Sequence, residues 1–175
     1  MAALAPASLM PVFGVRIGLS EATAAQMLTA IAIGNIIFQF PIGWMADRFD
    51  VRLVLGMCAF VGVFGSLSLA ALADTQAIWP ILIVWGGTIT GLYTVGLTML
   101  GKQYSGIRLA GANAAIVSAY GLGALASPPT LGISMDLHDP YGLAYALAAM
   151  CATYLIILVV LWRKSLPNKA HPGLD

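Results

Sequence analysis

The chain has 175 residues and a formal net charge of +1; 60% of its residues are hydrophobic and only 9% are charged. Soluble domains carry about 25% charged residues, so this composition excludes a soluble globular protein and predicts an integral membrane protein. No basic run indicates nucleic acid binding. No His, Cys or acidic cluster has metal-ligand spacing, and both cysteines lie in apolar runs. We expect a lipid bilayer as the surroundings, and no nucleic-acid partner, metal or cofactor.

The first apolar stretch, 1–13, is too short to cross a bilayer. Thirteen helical residues cover about 20 Å, whereas the hydrocarbon core is about 30 Å thick. The stretch lacks the basic segment that opens a signal peptide. It is typical of the second half of a membrane helix, and we therefore expect the chain to be a fragment or to begin at an internal start.

Five longer apolar stretches follow, and each is long enough to span the membrane. Ser20 is a favourable N-cap for the first, and Asp139 followed by Pro140 is favourable for the last. The predicted complete spans are 22–44, 53–73, 78–100, 109–135 and 141–162. We predict an all-α integral membrane fold with five complete spans and one partial span, embedded over 1–164, with a tail at 165–175.

Polar side chains in two spans predict a polar interior. Asn35 and Gln39 are four residues apart and share a helix face. Because an amide in lipid needs a partner, they should face other helices or a cavity. The third span has a narrow stripe of small and hydroxylated residues with Tyr93 beside it: Gly87, Thr90, Gly91, Thr94 and Thr98. Such a stripe is either a close packing seam or the wall of a wet cavity, and threonine hydroxyls can also bond their own helix.

The second and fourth spans differ in character. The span 53–73 has no strongly polar side chain, and we interpret it as lipid-facing scaffold. The span 109–135 contains Pro128 and Pro129, which remove backbone donors and break regular helix. Irregular backbone is tolerated in a membrane only where protein or water satisfies it. We therefore predict a helix break at these prolines, in a span packed inside the bundle.

Basic residues are concentrated in alternating loops. The loops after the first and third complete spans, together with the tail, contain seven of them: Arg48, Arg52, Lys102, Arg108, Arg163, Lys164 and Lys169. The other loops contain only Arg16. The positive-inside rule then predicts that the 43–52 turn and the C-terminus are cytoplasmic.

The turn between the first two complete spans has a recognisable pattern, Gly-x-x-x-Asp-Arg-x-x-x-Arg, formed by Gly43, Asp47, Arg48 and Arg52. This pattern resembles the signature loop of the major facilitator superfamily. Asp50 stands where the family has glycine and Val51 where it has arginine, which is typical of the weaker second copy of the loop, between helices eight and nine.

A second motif agrees with this placement. Gly123-x-x-x-Ser127-Pro128 is similar to a degraded form of a motif in helix five of drug antiporters, here at the position of helix eleven. The chain therefore resembles the C-terminal half of such a transporter, from the end of helix seven through helix twelve. Its sequence most resembles uncharacterised bacterial members of the efflux type, which implies the bacterial inner membrane.

The resemblance implies roles for particular residues. In that family two six-helix halves enclose a cavity and rock around it, and Asp47 would latch one conformation while Arg48 and Arg52 hold the turn. The alternative is that these charges only fix topology. By the same resemblance the substrate cavity would be lined by residues of helices eight, ten and eleven: Asn35, Gln39, Thr90, Tyr93, Thr94, Asn113 and Tyr120.

The predicted function is transmembrane transport of a small solute, and not catalysis. The expected partner is a missing N-terminal half or a second copy of the chain. No ionisable side chain lies in the middle of a span, although coupled transport usually needs one. The coupling residue would then lie in the other half, or transport would be uncoupled. The alternative is a non-transporting membrane protein, that is, a scaffold, a partner subunit or a truncated remnant of a transporter.

Overall fold

A computed structural model describes residues 5–73 and 75–165, and these form six α-helices. The helices are α1 (Ala5–Arg16), α2 (Glu21–Arg48), α3 (Val51–Ala71), α4 (Ile78–Gln103), α5 (Gly106–Leu137) and α6 (Gly142–Ser165). All but α1 are long and apolar enough to cross a membrane. The predicted all-helical fold with five complete spans is therefore confirmed, and the protein is a multi-pass membrane protein.

Several helices extend a few residues past their predicted apolar runs. Ser20 caps α2 as predicted, and its Oγ accepts a hydrogen bond from the Thr23 amide at 3.2 Å. Asp139 is not the cap of α6, which begins at Gly142, because its carboxylate accepts a hydrogen bond from Arg16 instead. The predicted tail lies outside the described residues from 166 onward.

The most extensive helix contact joins α2 to α4 and depends on glycines. A Cβ at Gly34 would lie 1.9 Å from the carbonyl oxygen of Ile83, and one at Gly86 would lie 2.8 Å from that of Ile31. Only glycine lets the two backbones approach this closely. The close spacing of α2 and α4 therefore depends on direct backbone contact at these two glycines.

Helix α3 has a lipid-facing side and a buried polar contact. Phe60 and Phe64 are exposed, in agreement with the interpretation as lipid-facing scaffold. On its buried side, Ser66 Oγ accepts a hydrogen bond from the Trp85 indole at 2.9 Å and donates to the Gly62 carbonyl at 2.8 Å. This pair joins α3 to α4 and satisfies the indole N–H of a buried tryptophan.

Helix α5 is continuous through Pro128 and Pro129, so the predicted helix break is absent. A proline at 128 leaves the Ala124 carbonyl without its usual i+4 donor. The Ser127 hydroxyl donates to that carbonyl at 3.4 Å. Nearby, the Thr130 hydroxyl donates to the carbonyls of residues 126 and 127. The Ser127 hydroxyl thus replaces the backbone donor that is missing at Pro128.

Within the described residues, only the last third of α5 is buried against other helices. Its buried residues are Ser127, Leu131 and Met135, all in the last third of the helix, whereas Ile107 and Leu122 are 89% and 69% exposed. The other described helices bury only the C-terminal end of α5, and α4 additionally contacts its middle at Tyr120. That the first part of α5 is packed inside a complete bundle stays a prediction.

That end of α5 is joined to α1 by Arg16. Its guanidinium donates to the carboxylates of Asp136 at 2.6 Å and Asp139 at 3.1 Å, and to the Met135 carbonyl at 3.0 Å. The hydrogen bond to Asp136 raises the pKa of the Arg16 guanidinium. One side chain thus connects α1, the end of α5 and the turn that leads into α6.

Candidate substrate cavity

A cavity of ≈ 610 Å³ lies between α2, α4 and α5. It is lined by Asn35, Gln39, Thr90, Tyr93, Thr94, Leu97, Thr98 and Tyr120. The structure therefore brings together six of the seven residues that the sequence suggested for a substrate cavity. Leu97 and Thr98 are additional.

The two amides of α2 face this cavity from one side. Asn35 is half-buried and Gln39 is exposed, and neither makes a hydrogen bond to another described residue. The alternative of helix-to-helix hydrogen bonding is thus absent from the described chain. Both amides keep their full set of donors and acceptors for whatever enters the cavity.

The threonines of α4 donate their hydroxyl protons to carbonyls of their own helix. The hydroxyls of Thr90, Thr94 and Thr98 donate to the carbonyls four residues earlier, at 3.1, 3.4 and 3.0 Å. Each hydroxyl has one proton and two lone pairs. With the proton used within the helix, these side chains present acceptors to the cavity.

The α4 stripe is both a packing seam and a cavity wall, the two alternatives that its pattern indicated. Its glycines form a packing seam, since a Cβ at Gly87 would lie 2.5 Å from Phe38 Cβ and one at Gly91 would lie 2.6 Å from Ile42 Cδ1. Its threonines at 90, 94 and 98 line the cavity. The glycines of the stripe thus pack against α2, and its threonines form part of the cavity wall.

Two tyrosines form an aromatic wall of the cavity. The rings of Tyr93 on α4 and Tyr120 on α5 have centroids 5.7 Å apart and planes inclined by 50°. Tilted aromatic pairs at this distance attract each other. The pair supplies a flat apolar surface beside the polar groups, with two phenol hydroxyls.

Asn113 differs from the expectation, because it is exposed on α5 and does not line the cavity. It shares a helix face with Tyr120 seven residues later, but α5 lies against α4 over only a short length. The polar stripe included Thr98, which could have been selected from the sequence. Leu97 has no polar group and gave no signal.

The signature turn lies at the opposite end of α2 from Ser20. Asp47 is exposed and makes no ion pair with the described residues. The Arg48 guanidinium lies 4.6 Å from the centre of the Trp44 ring, a cation–π contact. Asp50 Oδ1 accepts a hydrogen bond from the Arg52 amide at 2.8 Å and caps α3. The cap gives Asp50 a structural role at the position where the signature loop has glycine.

Sequence reasoning missed one contact near this turn. Lys102 Nζ, in the last turn of α4, donates to the Ala46 carbonyl at 2.8 Å. A cation at a helix C-terminus is favourable both to the dipole and to the last unpaired carbonyls. Lys102 thereby joins the ends of α4 and α2. Only the folded arrangement reveals it, because the two residues are 56 positions apart.

Comparison with known proteins agrees with the resemblance. The model of the Major Facilitator Superfamily matches residues 1–174. Similar proteins include uncharacterised MFS-type transporters of Yersinia enterocolitica and Yersinia pestis, 29% and 30% identical, and of Escherichia coli, 28% identical. Each match covers 86% of this chain and 39% of the relative.

The chain thus spans about two fifths of the length of these relatives. No solved structure matches it significantly. The match to the family model extends over nearly the whole chain and includes every helix described above. The chain therefore belongs to the Major Facilitator Superfamily.

Proposed function

We propose that the chain is the C-terminal half of a secondary transporter that moves a small solute across the bacterial cytoplasmic membrane. Family membership and the MFS-type transporters among its relatives support a transporter and not an enzyme. The observation that carries the proposal is the cavity between α2, α4 and α5, where unpaired amides meet hydroxyls and an aromatic pair. Polar groups converging at the depth of the membrane typically mark a substrate path.

The other wall of the cavity would come from an N-terminal half or a second copy of the chain. Two observations support an additional partner: the chain has two fifths of its relatives' length, and the first part of α5 is exposed. In this arrangement Asp47, which has no ion-pair partner among the described residues, would cap a helix of the other half. The end that carries the 43–52 turn would face the cytoplasm.

Solute flux through reconstituted vesicles tests the proposal. Proteoliposomes containing the chain are loaded with p-nitrophenyl-β-glucoside, p-nitrophenyl-β-glucuronide or ethidium, which represent neutral, anionic and cationic solutes. We expect protein-dependent efflux of at least one of them. Asn35→Ala should reduce the rate about tenfold because it removes an unpaired cavity amide. Asn113→Ala, an amide outside the cavity on α5, is the matched control and should leave the rate unchanged.

A different result would favour the alternative. If the chain keeps its helical circular dichroism but no solute leaves faster than from protein-free vesicles, the isolated chain is a scaffold, a subunit or a remnant and does not transport these solutes. Equal loss of efflux in Asn35→Ala and Asn113→Ala would place the path elsewhere than in this cavity.

A further inference from the structure

We infer that the solute of this cavity is uncharged, carries several hydroxyl or N–H donors, and has one flat apolar face. The inference rests on the proposed function, because it assigns a solute class to the same cavity. It follows from three properties of the lining: its charge, the direction of its hydrogen bonds, and the placement of its aromatic rings.

The first property is the absence of charge. The described side chains that line the cavity are two amides, three threonines, two tyrosines and one leucine. None is a carboxylate, an imidazole, an ammonium or a guanidinium. A charged solute that left water for this lining would lose hydration without gaining a counter-ion, and the cost of burying an unpaired charge is large. The wall that this chain supplies therefore favours a neutral solute.

The second property is the direction of the hydrogen bonds from α4. Because the protons of Thr90, Thr94 and Thr98 are donated to helix carbonyls, these hydroxyls offer lone pairs to the cavity. Residues four apart on a helix are about 6 Å apart along its axis, so the three oxygens form a row of acceptors about 12 Å long. A solute that pairs with this row must bring donors.

The third property is the pairing of amides with aromatic rings. Asn35 and Gln39 can both donate and accept hydrogen bonds. Because they too are four residues apart on a helix, they form a second row of polar groups, on α2. Tyr93 and Tyr120 present ring surface to the same space. Aromatic rings favour the flat, apolar face of a ring-shaped solute. A hydroxylated ring compound, such as a glycoside, satisfies all three properties.

Equilibrium binding separates this solute class from its competitors. The purified chain in lipid nanodiscs is titrated with p-nitrophenyl-β-glucoside and with p-nitrophenyl-β-glucuronide, which is closely similar in size but has a carboxylate. The third probe is the tetra-O-methyl glucoside, which retains the ring but has no donor. We expect the glucoside to bind, and the other two probes to bind at least about tenfold more weakly.

A matched pair of variants tests the acceptor row. Thr94→Val removes one acceptor with little change of shape and should weaken glucoside binding by about three- to tenfold, and Thr94→Ser should restore it. The control is Thr88→Val on the same helix, because the buried Thr88 hydroxyl donates to the Val84 carbonyl and lies outside the cavity. This control should bind the glucoside like the unmodified chain.

Three results would overturn the inference: tighter or equal binding of the glucuronide, equal binding of the O-methylated probe, or binding of none of the three. These results differ from a failure of the proposed function. If the glucoside binds with the expected pattern but does not cross the vesicle membrane, the solute class stands and transport by the isolated chain is rejected.

Discussion

The α2–α4 pair and the first two thirds of α5 are both rich in small residues, yet their surroundings are opposite. At Gly34 and Gly86, a Cβ would collide with the backbone of the facing helix. At Gly111 and Gly121 on α5, a Cβ would meet nothing within 4 Å. Small residues permit close approach of two helices but do not cause it, so the same composition serves a tight seam in one place and an exposed surface in the other.

The largest expected effect comes from filling the seam. Gly34→Ala would place a methyl group against the Ile83 carbonyl, which cannot move aside as a side chain would. We expect a loss of about 3 kcal/mol in unfolding free energy, measured by thermal or denaturant unfolding in mild detergent. Gly121→Ala is the control and should be neutral or stabilising, because alanine favours helix. Equal losses at both positions would contradict the contrast between seam and surface.

The buried hydrogen bond between α3 and α4 should give the next effect. Ser66→Ala leaves the buried Trp85 indole N–H without its acceptor, and an unpaired buried donor costs about 2 kcal/mol. The same unfolding assay measures it. In the control Thr153→Ala, the lost hydroxyl is exposed and bonds only its own helix, so little change is expected. The double variant Ser66→Ala with Trp85→Phe completes the test. If its loss of unfolding free energy equals or exceeds the sum of the two single losses, the two side chains are not energetically coupled.

A smaller, local effect is expected at the end of the α2–α4 pair. Lys102→Met removes the cation from the Ala46 carbonyl, which should cost about 0.5–1 kcal/mol. It should also speed amide hydrogen exchange in the last turn of α2. Arg108→Met removes an exposed basic residue from the first turn of α5 and should leave that exchange unchanged. Unaltered exchange in the Lys102 variant would argue against its role in holding the two helix ends together.

The smallest effect concerns the end of α5 that does contact its neighbours. Arg16→Gln removes two exposed ion pairs, and such pairs contribute little and are screened by salt. We expect the melting temperature to fall slightly at about 50 mM NaCl, and the difference to disappear at about 1 M. A difference that persists at high salt would mean that the hydrogen bond to the Met135 carbonyl, and not charge, joins α1 to α5.

The fold was largely predictable because the thickness of the bilayer determines how many consecutive apolar residues a spanning helix needs. Each apolar run long enough to span the membrane became a helix. The two amides were also predictable as cavity candidates, because an amide inside an apolar run is unfavourable against lipid and favours other helices or a cavity. The threonine stripe left a packing seam and a cavity wall equally open. The grouping of Asn35 and Gln39 with Thr90, which lie far apart in sequence, came from the resemblance to the major facilitator superfamily and not from a local pattern.

The remaining features depend on contacts between helices that the sequence does not encode locally. Asn113 and Tyr120 do share a helix face, but the side of α5 that meets α4 is decided by tertiary packing. The proline pair predicts a break because prolines lack a backbone donor. That prediction does not consider the Ser127 hydroxyl, which acts as a substitute donor. Asp139 has the sequence context of a cap, and its ion pair with Arg16 spans 123 positions, beyond the reach of any local pattern.

The burial of both thiols makes the chain convenient for chemical labelling. Cys58 and Cys151 are the only cysteines in the sequence, and they are 4% and 3% exposed. A maleimide therefore has little access to either in the folded protein. A cysteine introduced at Gln39 would then be the main reactive site, and its labelling rate would report directly on access to the cavity without prior removal of the native cysteines.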